Sequence, residues 1–272
     1  MNLKSFIKYH CSKRAISIKD NENIVVMSFN IRCISPLDTG NKYYKVRMPY
    51  IRKILEEASP DVIGFQEVKT PQYKYLLKIL KKYDYEYRKR DDTKAGEATP
   101  VFYKKKRFTC LKKDTFWISD TYKEMSNTYG GKCIRTCSYV HLKDNITNKE
   151  FSVFNVHLDH MSDNARIKGV KLIKRLIKEF NISNIPHLII GDMNDHYKSA
   201  PINELFLDYV DASKMKNDSS EVTFHNYGTD KQKIDYIALS KDIKQLDYKV
   251  ITTKFNEIYP SDHYPIEVIF DV

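Results

Sequence analysis

Apolar and polar positions follow two different periods along the chain. Short runs rich in β-branched and aromatic residues recur at Ile24 to Ile31, Asp61 to Phe65, Thr99 to Tyr103, Phe151 to Leu158, His187 to Ile190, Lys233 to Leu239 and Pro265 to Phe270. Each is bounded by polar or turn-forming residues, which predicts strands. Between them the spacing changes to three and four. Val46 to Ala58 puts Tyr50, Ile51, Ile54 and Leu55 on one face, Gln72 to Lys81 repeats the pattern, and Ala165 to Phe180 spaces Ile167, Val170, Ile173, Leu176 and Ile177 as an amphipathic helix does. Strands buried on both faces, mixed with helices of one apolar face, predict an α/β fold in which helices cover two stacked sheets.

No linker, repeat or Pro/Gly/Ser tract interrupts this pattern, so residues 23–272 read as one domain preceded by a basic arm, residues 1–22. At 272 residues and 42% hydrophobic, the chain can bury a sizeable core. No apolar stretch approaches the roughly 20 residues of a membrane-spanning helix, so no stable membrane insertion is expected. Cys11, Cys33, Cys110, Cys133 and Cys137 are odd in number and lack CxxC pairing. That argues against a disulfide framework or zinc ribbon and for reduced thiols in an intracellular, cytoplasmic protein. The net charge of +11, carried mostly by lysine, suits a polyanionic partner such as nucleic acid.

The chemistry gathers where the predicted strands stop. Ile24 to Arg32 is apolar until it presents Asn30 and Arg32, Asp61 to Phe65 runs into Gln66-Glu67, and Phe151 to His160 puts Asn155, His157 and Asp159 on one side. GDMNDHYKSAP (191 to 201) follows the apolar run at His187 and by itself reads first as a solvated turn, and second as a site carrying Asp192 and Asn194. Asp235 sits inside an apolar run and Ser261-Asp262-His263 precedes the last one. Singly, each residue has a structural use as a cap, a turn former or a satisfied core histidine. Together they would burden a core with unpaired polar groups, a cost that convergence on one rim turns into a site. Asn30, Glu67 and Asp262 offer hard oxygen donors of low total charge, which suits Mg²⁺ with Mn²⁺ as a substitute. The histidines lack zinc-site spacing, and an EF-hand fails because Tyr197 and Asn203 stand where that loop needs Gly and Glu.

In this order the segments SFNIR (28 to 32), GFQEV (64 to 68), FNVHLDH (154 to 160), IIGDMND (189 to 195), KIDYI (233 to 237) and SDHYPI (261 to 266) resemble the endonuclease/exonuclease/phosphatase superfamily. Gly96-Glu97 with Pro100 and Tyr103, Phe116-Trp117-Ile118-Ser119, and Arg135 in Ile134 to Leu142 are similar to its bacterial-type hydrolase group. Val156 and Met193 replace the usual Thr and Phe without removing a functional side chain. The resemblance implies a four-layer α/β/β/α sandwich of deoxyribonuclease-I type and a metal-dependent phosphoesterase. It implies Asn30, Glu67 and Asp262 around Mg²⁺, Asp192 and Asn194 on the attacking water, His263 paired with Asp235 on the phosphoryl group, and His157 on phosphate or leaving group. Arg135 and Glu97 become substrate-binding residues, whereas Asp195 and His196 have no counterpart and read as turn or rim. The net charge places a nuclease first and a phosphatase or phosphodiesterase of small or lipid phosphoesters second. A silent nucleic-acid-binding module comes last.

Overall fold

The computed structural model describes residues 22–213 and 221–272; most of the basic arm lies outside the described residues. Two sheets form. In the first, β1 (Ile24–Asn30) and β2 (Val62–Gln66) run parallel, joined by helix α1 (Tyr44–Ala58). Helix α2 (Thr70–Ile79) follows, then β3 (Tyr83–Glu86) and β4 (Val101–Lys104); β4 pairs antiparallel with β2, and β3 antiparallel with β4.

In the second sheet, β5 (Phe108–Trp117) and β6 (Thr136–Asp144) lead antiparallel to β7 (Glu150–His157). Helix α3 (Asp163–Glu179) carries the chain to β8 (His187–Asp192), parallel to β7. Helix α4 (Ala200–Phe206), β9 (Val210–Asp211) and β10 (Asp235–Leu239) complete it. The chain then returns to the first sheet as β11 (Lys244–Val250) and β12 (Ile266–Asp271). The orders are β11-β12-β1-β2-β4-β3 and β5-β6-β7-β8-β10-β9.

Strand alternation assigns each apolar residue to a layer. Val26, Val62, Val153, Leu188, Ile190 and Val268 fill the space between the sheets. Met27, Phe29, Ile63 and Phe65 point outward to Ile51, Ile54 and Leu76 of α1 and α2. On the other side Phe154, Val156 and Ile189 meet Val170, Ile173 and Leu176 of α3. Each such side chain, fully buried, contributes roughly 1.5–3 kcal/mol. The expected four-layer sandwich is what forms.

The sequence-derived runs shift by a residue or two at their ends, and β3, β5, β9 and β11 were not expected at all. These four are the edge strands of the two sheets. Among the described residues no helix is long and apolar enough to cross a membrane.

Candidate active site

The two parallel pairs end on the same rim. Register sets Asn30 beside Gln66 at the end of β1 and β2, and His157 beside Asp192 at the end of β7 and β8. Asp235 opens β10 directly opposite Asp192. Gly191 makes the approach of β8 to β7 possible: its φ is +140°, and a Cβ there would collide with the Val156 carbonyl oxygen.

Asp192 is the meeting point. Its Oδ2 accepts from Asn30 Nδ2 at 2.9 Å and lies 3.4 Å from His157 Nε2 and 3.8 Å from His263 Nε2. Its Oδ1 accepts the Asn194 amide at 2.9 Å, and Asn194 Nδ2 donates to the Leu158 carbonyl at 3.0 Å. Asn30 Nδ2 also reaches Glu67 Oε1 at 3.2 Å, while Asn30 Oδ1 accepts the Arg32 amide at 3.0 Å. Glu67, at a left-handed φ of 62°, turns its Oε2 to the Cys33 amide at 2.8 Å. His263 Nδ1 faces Asp235 Oδ2 at 2.9 Å.

Burial splits these groups electrostatically. For Asp192, burial first and Asp235 second outweigh His263 and the Asn194 amide, and its pKa is pushed up to about 7. Burial lowers His263, but Asp235, Asp192 and Asp262 overcome it and raise it to about 10. Burial and the Arg135 charge keep His157 neutral, well below the usual imidazole range. Burial opposes ionisation of Glu67. With His157 neutral, the Cys33 amide and the cations of His263 and Arg32 hold the Glu67 carboxyl well below the usual carboxylate range. The rim therefore holds an imidazolium, an imidazole, an ionised Glu67 and a carboxyl poised near neutrality.

Among the described residues, the acidic and histidine groups close enough to share an ion are Glu67, His157 and Asp192, and Asp192, Asp235 and His263, each set within 4.8 Å. These donors fit a hard divalent cation: Asn30 places its neutral Nδ2 between the Glu67 and Asp192 carboxylates, where a cation would be favoured. Asp262 belongs to neither set. It lies 3.6 Å from Arg32 Nε, Ser261 Oγ reaches its Oδ1 at 3.2 Å, and burial followed by Glu67 raises its pKa.

Arg135 and Glu97 stand beside this centre, with Glu67, Arg90, Thr99 and His157, around a narrow solvent-open cleft. Arg90 Nη1 grips Glu97 Oε2 at 2.8 Å; burial first, then Glu67, raises the Glu97 pKa against the pull of Arg90 and Arg135. The Nε of buried Arg135 has no protein partner. Asn155 is not on the rim: it lies between the sheets, accepting from Gln66 Nε2 at 2.6 Å and donating to the Phe65 carbonyl at 2.8 Å. Asp159 caps backbone amides of Met161 and Ser162. Asp195 is buried against Arg166 at 2.8 Å, and His196 is exposed.

Two supporting residues escaped the sequence reading. Arg47 of α1 is fully buried and donates to the carbonyls of Ile31 at 2.8 Å, Pro260 at 3.0 Å, Lys42 at 2.7 Å and Arg32 at 3.1 Å. It thereby straps the loop after Asn30 to the loop before Asp262. Arg166 of α3 binds Asp195, the Asp159 carbonyl and Asp163. A signal was present: Arg47 continues the stripe of Ile51, Ile54 and Leu55, and Arg166 that of Val170, Ile173 and Ile177, so each falls on its helix's apolar face.

Comparison with known proteins agrees with this geometry. The Endonuclease/Exonuclease/phosphatase family model matches residues 27–263. An endonuclease/exonuclease/phosphatase from Bacteroides vulgatus superposes with a TM-score of 0.85 at 27% identity, covering 92% of this chain and 99% of that one. A mannosyl-6-phosphatase of Bacteroides thetaiotaomicron gives 0.82 at 28% identity, over 92% and 100% of the two chains. TDP2 of D. rerio, complexed with a single-strand DNA product, gives 0.70 at 17% identity over 92% and 99%, a likeness of fold. No curated protein sequence matches the chain. The chain belongs to the endonuclease/exonuclease/phosphatase family and is a phosphoric ester hydrolase.

Proposed function

We propose that the protein is a Mg²⁺-dependent phosphatase acting on small, hydroxyl-bearing phosphate monoesters. The observation that carries this reading is the Arg90–Glu97 pair in the wall of the narrow cleft beside Glu67 and His157. A carboxyl there accepts hydrogen bonds from hydroxyl groups and disfavours the flanking phosphate that a nucleic-acid strand would bring. Similarity to a mannosyl-6-phosphatase at 28% identity supports the same substrate class.

In the reaction, Asp192 Oδ2 accepts the proton of an attacking water, a task suited to a carboxyl with a pKa of about 7. Asn194 fixes the other Asp192 oxygen. His263, kept protonated by Asp235, donates from Nε2 to a phosphoryl oxygen, and the free Nε of Arg135 offers a second donor. Neutral His157 hydrogen-bonds the departing oxygen. Glu67, with Asn30 beside it, would hold the cation, which neutralises phosphoryl charge when bound; Asp262, turned to Arg32, would act on it only from behind.

The net charge of +11 supports a second reading, hydrolysis of nucleic-acid phosphodiesters. Incubating the protein and Asp192→Ala with Mg²⁺, hexose phosphates, inositol phosphates, DNA and RNA separates the two. Phosphate release from small esters, insensitive to moderate salt and lost in the variant, is the expected result. Strand cleavage without phosphate release from any small ester would reject the phosphatase reading.

A further inference from the structure

We propose that the protein carries a second anion-binding surface, remote from the catalytic rim, which holds the phosphate backbone of nucleic acid without cutting it. The residues come from two lysine-rich turns. Lys81 and Lys82 follow α2, and Lys104 to Arg107 join β4 to β5; the Lys105 amide donates to the Lys82 carbonyl at 3.1 Å and locks the turns side by side. Together with the end of α1 they line a solvent-open groove of about 810 Å³.

Ion pairing sorts its cations. Arg52 is bound to Glu56 at 2.7 Å, Lys104 to Asp61 at 3.0 Å, and Arg107 to Asp61 at 2.9 Å and Asp144 at 3.2 Å. Lys81, Lys82, Lys105 and Lys106 are exposed, and among the described residues none has a carboxylate within 4.0 Å. Four like charges held together by backbone repel one another, and a polyanion relieves that repulsion.

The chemistry of the groove selects among polyanions. A membrane surface would need apolar anchors beside the lysines, yet none of the exposed large hydrophobic residues lines the groove, and Leu55 and Leu80 on its floor are each 6% exposed. Both groove arginines are already engaged by carboxylates, so the four lysines alone meet the ligand. Lysine, a point donor, suits phosphate. Tyr83 offers no free stacking face of note, since it is half-buried and its hydroxyl donates to the Pro60 carbonyl at 2.5 Å. Contact is therefore with the backbone and indifferent to base sequence.

Position separates the surface from the chemistry. β2 and β4 are antiparallel and the Lys104 amide donates to the Asp61 carbonyl, so the lysines sit at the start of β2 while Glu67 follows its end. Six residues of strand span roughly 20 Å. Nucleic-acid affinity then says nothing about the substrate.

The test is fluorescence anisotropy of the full chain with a 20-base-pair DNA and a matching RNA across a salt series. The Lys81→Gln, Lys82→Gln, Lys105→Gln, Lys106→Gln variant should lose at least about tenfold in affinity at low salt. Its log K against log salt slope should fall by up to about 3.6 for four phosphate contacts on DNA. Hydrolysis of a small ester should be unchanged, and Arg135→Gln should bind nucleic acid like the parent. Undiminished binding by the quadruple variant overturns the proposal. So does lysine-dependent binding to vesicles containing phosphatidylserine, or to polyglutamate, that exceeds binding to DNA and RNA.

Discussion

The unit β1–α1–β2 and the unit β7–α3–β8 are built alike. Each is a parallel pair joined by a crossover helix, each ends in polar residues on the shared rim, and each places a buried arginine at the fourth residue of its helix. They differ in what the arginine holds. Arg47 binds only carbonyl oxygens, and the rim above it carries one amide, Asn30, and one firmly ionised carboxylate, Glu67. Arg166 neutralises the carboxylate of Asp195, and its rim carries Asp192 and His157, both displaced by burial from their usual protonation. On the function proposed above, the same scaffold serves two tasks: one half keeps a charge fixed to attract a cation, and the other keeps a proton easy to move.

The largest contrast should appear on substitution of the rim itself. Asp192→Ala should lower kcat by about 10²- to 10⁴-fold at saturating Mg²⁺. Glu67→Gln should be partly rescued by raising Mg²⁺, which a titration of initial rate against metal would show. If excess metal restores Asp192→Ala and not Glu67→Gln, the division of labour is the reverse of that described.

The arginine straps come next. Arg166→Met leaves buried Asp195 with only the amide and exposed ring of His196 and should cost up to about 3–5 kcal/mol of stability by denaturant unfolding, with the Mg²⁺ requirement unaltered. Arg47→Met strands carbonyls at about 1–3 kcal/mol each and frees the loops that carry Asn30 and Asp262. Its half-saturating Mg²⁺ concentration should rise severalfold in the fraction that folds. Equal metal dependence in both variants would show that Arg47 has no bearing on the cation side.

The smallest effect is on pH dependence. Activity should fall on the acid side as Asp192 takes up its proton, at or below pH 7 because a nearby cation lowers that value, and on the alkaline side near pH 10 as His263 loses its own. Asp235→Asn removes the main group that raises His263, so the alkaline limb of kcat should move to lower pH; the acid limb should also move down, because Asp235 helps to raise Asp192. An unmoved alkaline limb would assign it to another group.

Central strands and edge strands were unequally legible. β1, β7, β8 and β10 are buried on both faces and read as continuous apolar runs. β5, by contrast, carries exposed Lys112, Lys113 and Asp114 in its middle, and β11 alternates exposed and half-buried residues. An edge strand is solvated along one side, so its sequence need not be apolar. The site was legible for the opposite reason, because a carboxylate or histidine directly after a buried run is anomalous. Asn155 misled since it has the right position in the pattern but spends its polarity between the sheets, filling the space that Gly64 leaves open, where an added Cβ would lie 2.6 Å from Asn155 Cγ. Arg47 and Arg166 were passed over because arginine on a helix is ordinarily read as surface, even when it falls on the apolar stripe.

The single oxygen Asp192 Oδ2 accepts from Asn30, beside Glu67, and faces both His157 and His263. Metal preference and operating pH are consequently not separate design variables in this protein. A substitution that draws a softer or more strongly charged ion to Glu67 changes the basicity of Asp192 at the same stroke, and a substitution that retunes His263 changes the ligand field offered to the ion. Laboratory selection for either trait should return variants altered in both.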